Sequence, residues 1–443
     1  MNSILNRTGS RITVIYILAV MAAMAVSEPV TVLSAIGREF HPSHAALIGL
    51  VMSLPSLVVV LGALASGAIV DRLGDRPIVY TGIIITIIGD LGVVVAPTLQ
   101  LLLFSRLITG IGYALAAVAT VTLLMRVTSG KQRTTALALW STTIPVSFII
   151  PFLAAGTAER QGGWRAAFID HAVVTAIILV VAMLSLPKPD RSAVKSSRFA
   201  GMGAVLKSPW PYLLGTSNAA NALRQTGIVA VLTVYLAHRY SVDERAVAHL
   251  NAIFMLISGA GGLLTGRLLN RNLPAWVVGA IGTVLSIVPV ALIFGPPLGY
   301  IGSIAAAWIF AFGCGLLTGM WALVPSCSPS PASMGVTNGL VTQLIMIGVL
   351  LGSPLTFWAN SKIGAAPMQI LNVVTVLINL GCGLPVWLRG ITAHHAVKPD
   401  LVKLPDSGPI PECFLAGCPE VHGNTRCSPK TCAILIRHRE RMA

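Results

Sequence analysis

Charge is scarce in this chain. Only 10% of its 443 residues are Asp, Glu, Lys or Arg, against about 25% in an average soluble domain. Carboxylates are rarer still, at 15 residues. An ordinary soluble enzyme of this length cannot cover its surface with so few charges. Aromatic residues make up 6% and form no stacking platform beside basic residues, so the excess of Lys and Arg does not read as a nucleic-acid interface. A Gly-x4-Gly-Lys-Ser/Thr phosphate loop is missing, so ATP is not expected to drive the protein directly. The apolar stretches carry no nucleophile–base pair and no metal-ligand cluster. No catalysis, no cofactor and no resident metal are therefore expected. What the chain has in excess is apolar: 55% of residues are hydrophobic and the mean hydropathy is +0.82. That excludes disorder, which needs low hydrophobicity, and leaves a polytopic membrane protein.

A membrane-spanning helix needs roughly 20 mostly apolar residues. Twelve stretches qualify, at about 11–34, 46–70, 77–96, 100–124, 135–157 and 166–186, then 210–237, 246–269, 274–294, 300–324, 334–358 and 367–387. Runs such as Ile83-Ile84-Ile85-Thr86-Ile87-Ile88 are apolar on every face, whereas strands of a membrane barrel alternate. The expected organisation is a six-helix bundle over 1–186, a polar linker over 187–209, a second bundle over 210–388 and a tail over 389–443. Ala23-Met24-Ala25 resembles a signal-cleavage site, but the apolar stretch runs on to Ile36, too long for a signal core. The first helix is expected to stay.

Loop charge orients the chain. Arg72, Arg76, Arg126, Lys131, Arg133, Arg267, Arg271 and the basic linker fall on one side. Fewer basic residues, Arg38, Arg160, Arg165, Arg239, Arg245 and Lys362, fall on the other. The positive-inside rule then puts both termini in the cytoplasm of a cell (inner) membrane.

The chain repeats itself across the linker. Residues 67–76 read Gly-Ala-Ile-Val-Asp-Arg-Leu-Gly-Asp-Arg, and residues 262–271 read Gly-Leu-Leu-Thr-Gly-Arg-Leu-Leu-Asn-Arg. Each follows the second helix of its half. A 6+6 chain with parallel repeats is a known transporter architecture. The first copy resembles the signature loop of the major facilitator superfamily, Gly-x-x-x-Asp-Arg-x-Gly-x-Arg. So does Arg106 followed by Gly110-Ile111-Gly112 in the fourth helix, and the turn Gly162-Gly163-Trp164-Arg165 after the fifth. The resemblance implies two pseudo-symmetric six-helix bundles that alternate access to a central site. It also implies that Gly67, Asp71, Arg72, Gly74 and Arg76 form a gating loop. Gly67 would permit close helix approach, and Asp71 would accept from Arg side chains or a helix N-terminus. In the second copy Gly266 replaces Asp71. The fifth helix, with Pro145 and Pro151, lacks the Gly-Pro pair usual in drug–proton antiporters of the family.

Ionisable residues at membrane depth are costly and functional by default. Glu28, Asp90 and Arg106 all fall roughly 9 Å below the outer boundary at 1.5 Å per residue. The resemblance places helices 1 and 4 at the central cavity, so Glu28 and Arg106 are the expected proton-coupling pair. A fixed ion pair is the competing reading. Asp90 reads more readily as a packing residue, and Asp170 and His171 stand nearer the outer end. Arg224 is alone in the middle of helix 7. Asn221 and Gln225 share its helix face, and the three make a substrate-binding set suited to an anionic or strongly polar group. Trp140, Trp321 and Gln343 are weaker candidates, since Trp is common at membrane interfaces.

Four of the seven cysteines lie in the tail, as Cys413-x4-Cys418-x8-Cys427-x4-Cys432. That spacing is wider than usual zinc pairs, and a cytoplasmic tail does not favour disulfides.

The expected function is secondary active transport of a small organic compound, as proton-coupled efflux of a metabolite or drug. Proton symport of an organic anion is the close alternative, and a transporter-fold sensor signalling through the tail is a third. The expected partners are a small-molecule substrate, protons and the bilayer, with a monomeric chain.

Overall fold

The computed structural model describes residues 2–41, 46–154, 163–186, 200–241, 244–294, 298–360 and 366–396. Among them every regular element is a helix. Eleven are long and apolar enough to cross a membrane. Pro209–Tyr240, at 32 residues, is the twelfth spanning helix. Its middle carries Asn218, Asn221, Arg224 and Gln225, which dilute an otherwise apolar stretch.

In chain order the spans are α1 (Asn2–Ser27), α2 (Ala46–Leu73), α3 (Asp75–Val94), α4 (Leu99–Val127), α5 (Gly130–Trp140, then Thr143–Ala154) and α6 (Arg165–Ser185). The second half holds α7 (Pro209–Tyr240), α8 (Glu244–Asn270), α9 (Ala275–Ile293), α10 (Gly299–Thr318), α11 (Met334–Asn360) and α12 (Ala366–Ala396). Many side chains turned outward along the spans are large and apolar, such as Leu184 at 83% exposure and Ile301 at 82%. This is the inverse of a soluble protein and suits lipid as solvent.

Several boundaries differ from expectation for local reasons. α1 begins at Asn2 and stops at Ser27, because Pro29 has no N–H to continue the ladder. The chain tightens to a 3-10 turn over Glu28–Thr31 and resumes as a helix over Leu33–Phe40. α5 breaks at Ser141-Thr142, just before Pro145. The expected linker contains a helix, Ala200–Lys207, whose Val205 packs on Val336 and Leu340. α12 runs eight residues past 388, to Ala396. The four tail cysteines lie outside the described residues.

Small residues set the helix spacing within each half. A Cβ on Gly112 of α4 would stand 2.5 Å from the Thr86 nitrogen and 2.6 Å from the Gly82 oxygen of α3. Gly313 of α10 meets Gly282 and Leu285 of α9 in the same way, so the seam recurs in both halves. Gly112→Val is expected to cost about 1–3 kcal/mol by overpacking, read as a lower Tm in detergent.

The halves meet along α2 with α11 and α5 with α8. One hydrophobic core joins them, with Ile15, Val118 and Trp140 of the first half against Trp321, Val324 and Val341 of the second.

Candidate functional site

Glu28, Asp90, Arg106 and His171 converge from four segments into one buried set, each at 3% exposure or less. Arg106 Nη1 lies 2.5 Å from Glu28 Oε1 and 3.6 Å from Asp90 Oδ1. Its guanidinium also sits over the Phe168 ring, 5.6 Å from the centroid. Two prolines explain its remaining bonds. Pro29 has no N–H to offer the Ala25 carbonyl, and Arg106 Nη2 donates to that oxygen. Pro55 likewise leaves the Val51 carbonyl without its usual helical donor, and Arg106 Nε donates to it at 2.9 Å. A proline inside a helix removes the bond to the carbonyl four residues back. Here both orphaned oxygens hold the same arginine. A third case lies beside them: Pro151 frees the Ser147 carbonyl, which accepts from Ser27 Oγ at 2.8 Å.

His171 completes the set. Its Nε2 is 3.0 Å from the Met21 carbonyl. A carbonyl only accepts, so Nε2 carries a proton. Its Nδ1 is hydrogen-bonded to Asp90 Oδ2 at 2.9 Å and lies 2.5 Å from Glu28 Oε2. Among the described residues Glu28 Oε2 has no hydrogen bond that satisfies it. Charge counting then fixes the proton number. One further proton shared by Nδ1 and the two carboxyls makes the set neutral: two positive groups balance two carboxylates, or Arg106 alone balances one. Without that proton the Nδ1 lone pair would face carboxylate oxygens in a dry site, at high cost. Releasing the proton therefore requires the four side chains to separate or rearrange.

The same three acidic and imidazole groups offer ligand atoms within 4.8 Å of one another, a spacing that a metal ion could use. Arg106 already bonds these carboxylates, and a divalent cation would sit against its fixed charge. The arrangement fits a proton better than a metal.

Asp90, read from sequence as a packing residue, thus belongs to the set, with Thr109 Oγ1 3.3 Å away. Asp170 and His171 part company, since Asp170 is exposed and His171 buried. His171 is the residue that sequence reasoning undervalued. Its signal was an imidazole inside an otherwise apolar helix.

The second polar site centres on Arg224 of α7, 3% exposed. Among the described residues its Nε and Nη1 have no hydrogen-bond partner, and Nη2 reaches only Asn221 Oδ1 at a long 3.4 Å. Asn221 Nδ2 is turned away, to the Cys314 carbonyl and Thr318 Oγ1 of α10, both at 3.1 Å. Gln225 Nε2 donates to Ser258 of α8 at 2.7 Å. Asn221 and Gln225 thus tie α7 to its neighbours while Arg224 keeps open donors. Trp140 and Trp321 stack across the two halves with centroids 4.6 Å apart. Both are buried, with indole N–H groups unpartnered among the described residues, so they are not interfacial anchors. Gln343 Oε1 is also unpartnered among the described residues.

The 67–76 loop joins the halves at one end of the bundle. Asp71 accepts from the Gly335 and Val336 backbone N–H groups at 3.0 and 2.8 Å, in the first turn of α11, where helical N–H groups lack partners. Arg126 Nη2 bonds Asp71 at 2.7 Å, and its Nη1 pairs with Asp75. Gly67 lies against the Gly335 backbone. Gly74 takes φ +91°, as the turn into α3 requires. Arg72 is exposed. Arg76 binds Tyr80 and the Met183 carbonyl, tying α3 to α6. Arg126 was expected only as a loop cation. In the second copy Gly266 packs on Ala138 of α5, and Asn270 reaches the Lys131 carbonyl and Thr135. The repeat therefore makes an uncharged seam there. At the opposite end Arg165 and Trp164 both donate to Glu39, and these bonds hold its carboxyl below the usual range.

The sequence model of the Major Facilitator Superfamily matches residues 14–353. The chain belongs to the major facilitator superfamily. As a member of that superfamily it is a multi-pass integral membrane protein with twelve helices in two six-helix bundles. It is 24% identical over 157 residues to the arabinose-proton symporter of Escherichia coli (strain K12), covering 35% of this chain and 33% of that protein. It is 25% identical over 159 residues to the quinolone resistance protein NorB of Staphylococcus aureus (strain JH9), covering 36% and 34%. The chain thus spans about a third of the length of each of these relatives. Among solved superfamily structures, the human organic anion transporter MFSD10 (TETRAN) superposes with TM-score 0.67 at 16% identity, covering 86% of this chain and 99% of that one. The proton:xylose symporter XylE gives 0.71 at 13% identity, covering 86% and 96%. At these identities the likeness concerns the fold.

Proposed function

We propose that this transporter couples the movement of a small organic compound to protons by alternating access, in the direction of efflux. The proton is carried by Glu28, Asp90 and His171 beside Arg106. The observation behind this reading is the neutral buried set, which can give up its shared proton only by rearranging. Glu28 stands at the α1 break and can report that change to the helix. The 67–76 loop closes one end of the bundle, and opening there breaks the Asp71 bonds to α11. Read with the loop charges, that end is cytoplasmic, both termini are cytoplasmic, and the protein works as a monomer in the cell (inner) membrane. Two distant relatives bear names of the same kinds, a proton symporter and a drug-resistance protein.

Symport of an organic anion is the second reading, and Arg224 favours it. A buried guanidinium with two nitrogens unpartnered among the described residues is suited to a carboxylate. One experiment separates the two. Proteoliposomes holding a pH-sensitive dye are challenged with organic anions and cationic drugs. Protons moving against the added compound mean antiport, and protons moving with it mean symport. Arg224→Ala is expected to weaken apparent affinity for an anionic substrate by about 10-fold or more, a charge-assisted bond being worth roughly 1.5–3 kcal/mol. A neutral or cationic substrate should be unaffected by it. No proton movement with any compound would remove the coupling proposal.

A further inference from the structure

One turn of α10 decides what surrounds Arg224. Asn221 Nδ2 donates to the Cys314 carbonyl and to Thr318 Oγ1. Thr318 Oγ1 in turn donates to the same carbonyl at 2.9 Å. These bonds draw α7 onto residues 314–318 and bring the Cys314 side chain near enough to Arg224 to feel its charge. They also use up the local acceptors. The Cys314 carbonyl already serves two side chains, and Thr318 is committed to both neighbours. What this turn leaves for the guanidinium is a thiol, which is only a weak acceptor. Both partners are deeply buried, Arg224 at 3% exposure and Cys314 at 0%. Burying a charge is costly unless it is paired and hydrogen-bonded. Among the described residues Arg224 keeps Nε and Nη1 open. A serine or an aspartate at position 314 would supply an acceptor there, and a cysteine does not.

Taking Arg224 as a substrate group, as the symport reading does, we infer that Arg224 and Cys314 face each other across an anion site between α7 and α10. The site takes the carboxylate or sulfonate head of a small organic anion. Arg224 holds the charge through its open donors, and Cys314 touches the bound group. Because the thiol needs no partner of its own, the anion displaces no hydrogen bond of Cys314. Both residues belong to the second half of the chain, whereas Glu28, Asp90, Arg106 and His171 all belong to the first. Substrate and proton therefore sit in different halves, and one can act on the other only through the movement of the halves.

Alternating access must open such a site to water on one side, so Cys314 should be reachable by polar thiol reagents. The full chain in proteoliposomes is treated with 2-sulfonatoethyl methanethiosulfonate, itself a small organic anion, or with its cationic trimethylammonium counterpart. Each forms a disulfide with a thiol, and the adduct at Cys314 is measured by peptide mass spectrometry. Each rate is divided by the reagent's rate with free mercaptoethanol. The anionic reagent should then be faster by about tenfold or more, as a charge-assisted bond gives. Its rate should level off as concentration rises, because binding precedes reaction. Arg224→Lys should keep both features, and Arg224→Gln should lose both. Should Arg224→Gln not fold, the levelling in wild type decides alone. No adduct at Cys314, equal corrected rates, or an anionic rate that rises linearly throughout overturns the proposal. The labelling is read without proton movement, so a chain that binds anions but moves no protons still shows it.

Discussion

Glu28→Gln is expected to abolish substrate-driven proton movement while leaving substrate exchange running. The reasoning follows from the charge count. In the wild-type set a single mobile proton lies among His171 Nδ1, Asp90 Oδ2 and Glu28 Oε2, which sit 2.9 and 2.5 Å from Nδ1. A glutamine keeps an oxygen for Arg106 Nη1 and turns an NH2 toward Nδ1. Arg106 and Asp90 then balance each other, His171 is neutral, and no proton is left to exchange. The variant carries the net charge of the loaded state, but Asp90 Oδ2 now faces the Nδ1 lone pair instead of sharing its proton, so a lower Tm in detergent is expected alongside the loss of coupling. Coupled proton flux should fall by more than about tenfold, the equivalent of roughly 1.4 kcal/mol on the barrier. Counterflow of labelled against unlabelled substrate, which needs no net proton transfer, should stay within about twofold of wild type. Undiminished proton flux would reduce the Glu28–Arg106 contact to an ion pair that orients α1 and α4.

The architecture was legible because lipid imposes a coarse rule. A spanning helix must be long and apolar, and twelve such stretches can be counted without knowing what touches what. The 67–76 loop was legible for another reason, because its residues are close in sequence and repeat in the second half. The Asp71 partners were less so, since Gly335 and Val336 contribute only backbone N–H groups and have no residue-type signature. The buried set was half visible. Glu28 and Arg106 stand out as charges in apolar runs, and their shared depth follows from counting residues along helices. What hydropathy could not supply was helix rotation. His171 and Asp170 are neighbours in sequence but face opposite environments, and only the packing of α6 on α1 and α3 decides which is buried. The roles of Pro29 and Pro55 were also hidden. Each frees a carbonyl in its own helix, and a single arginine in a third helix uses both.

Gly67→Val is expected to keep the Asp71 end from closing. A Cβ at Gly67 would fall 2.8 Å from the Gly335 carbonyl carbon and 2.9 Å from the Val336 Cα. These are backbone atoms at the start of α11, so no rotamer change relieves the contact, and α2 and α11 must part. Parting them stretches the Asp71 bonds to Gly335 and Val336 at the same time. The conformation with this end open has no such contact and is not penalised. An overpacking cost of about 1–3 kcal/mol borne by one state alone shifts the balance toward the other by roughly 5–150-fold. A cysteine in place of Val336, which is 3% exposed in the closed end, reports the shift. Its alkylation by a water-soluble maleimide should quicken on adding Gly67→Val, and transport should fall in parallel because the cycle stalls in one state. Asp71→Asn should do less. Its amide oxygen can still accept from one N–H, and the Gly67–Gly335 seam still closes. Steric fit would then set whether the end can close, and the Asp71 charge how firmly it stays closed. Equal alkylation and equal transport in Gly67→Val would mean that α11 can shift along α2 without cost, and that the seam does not gate.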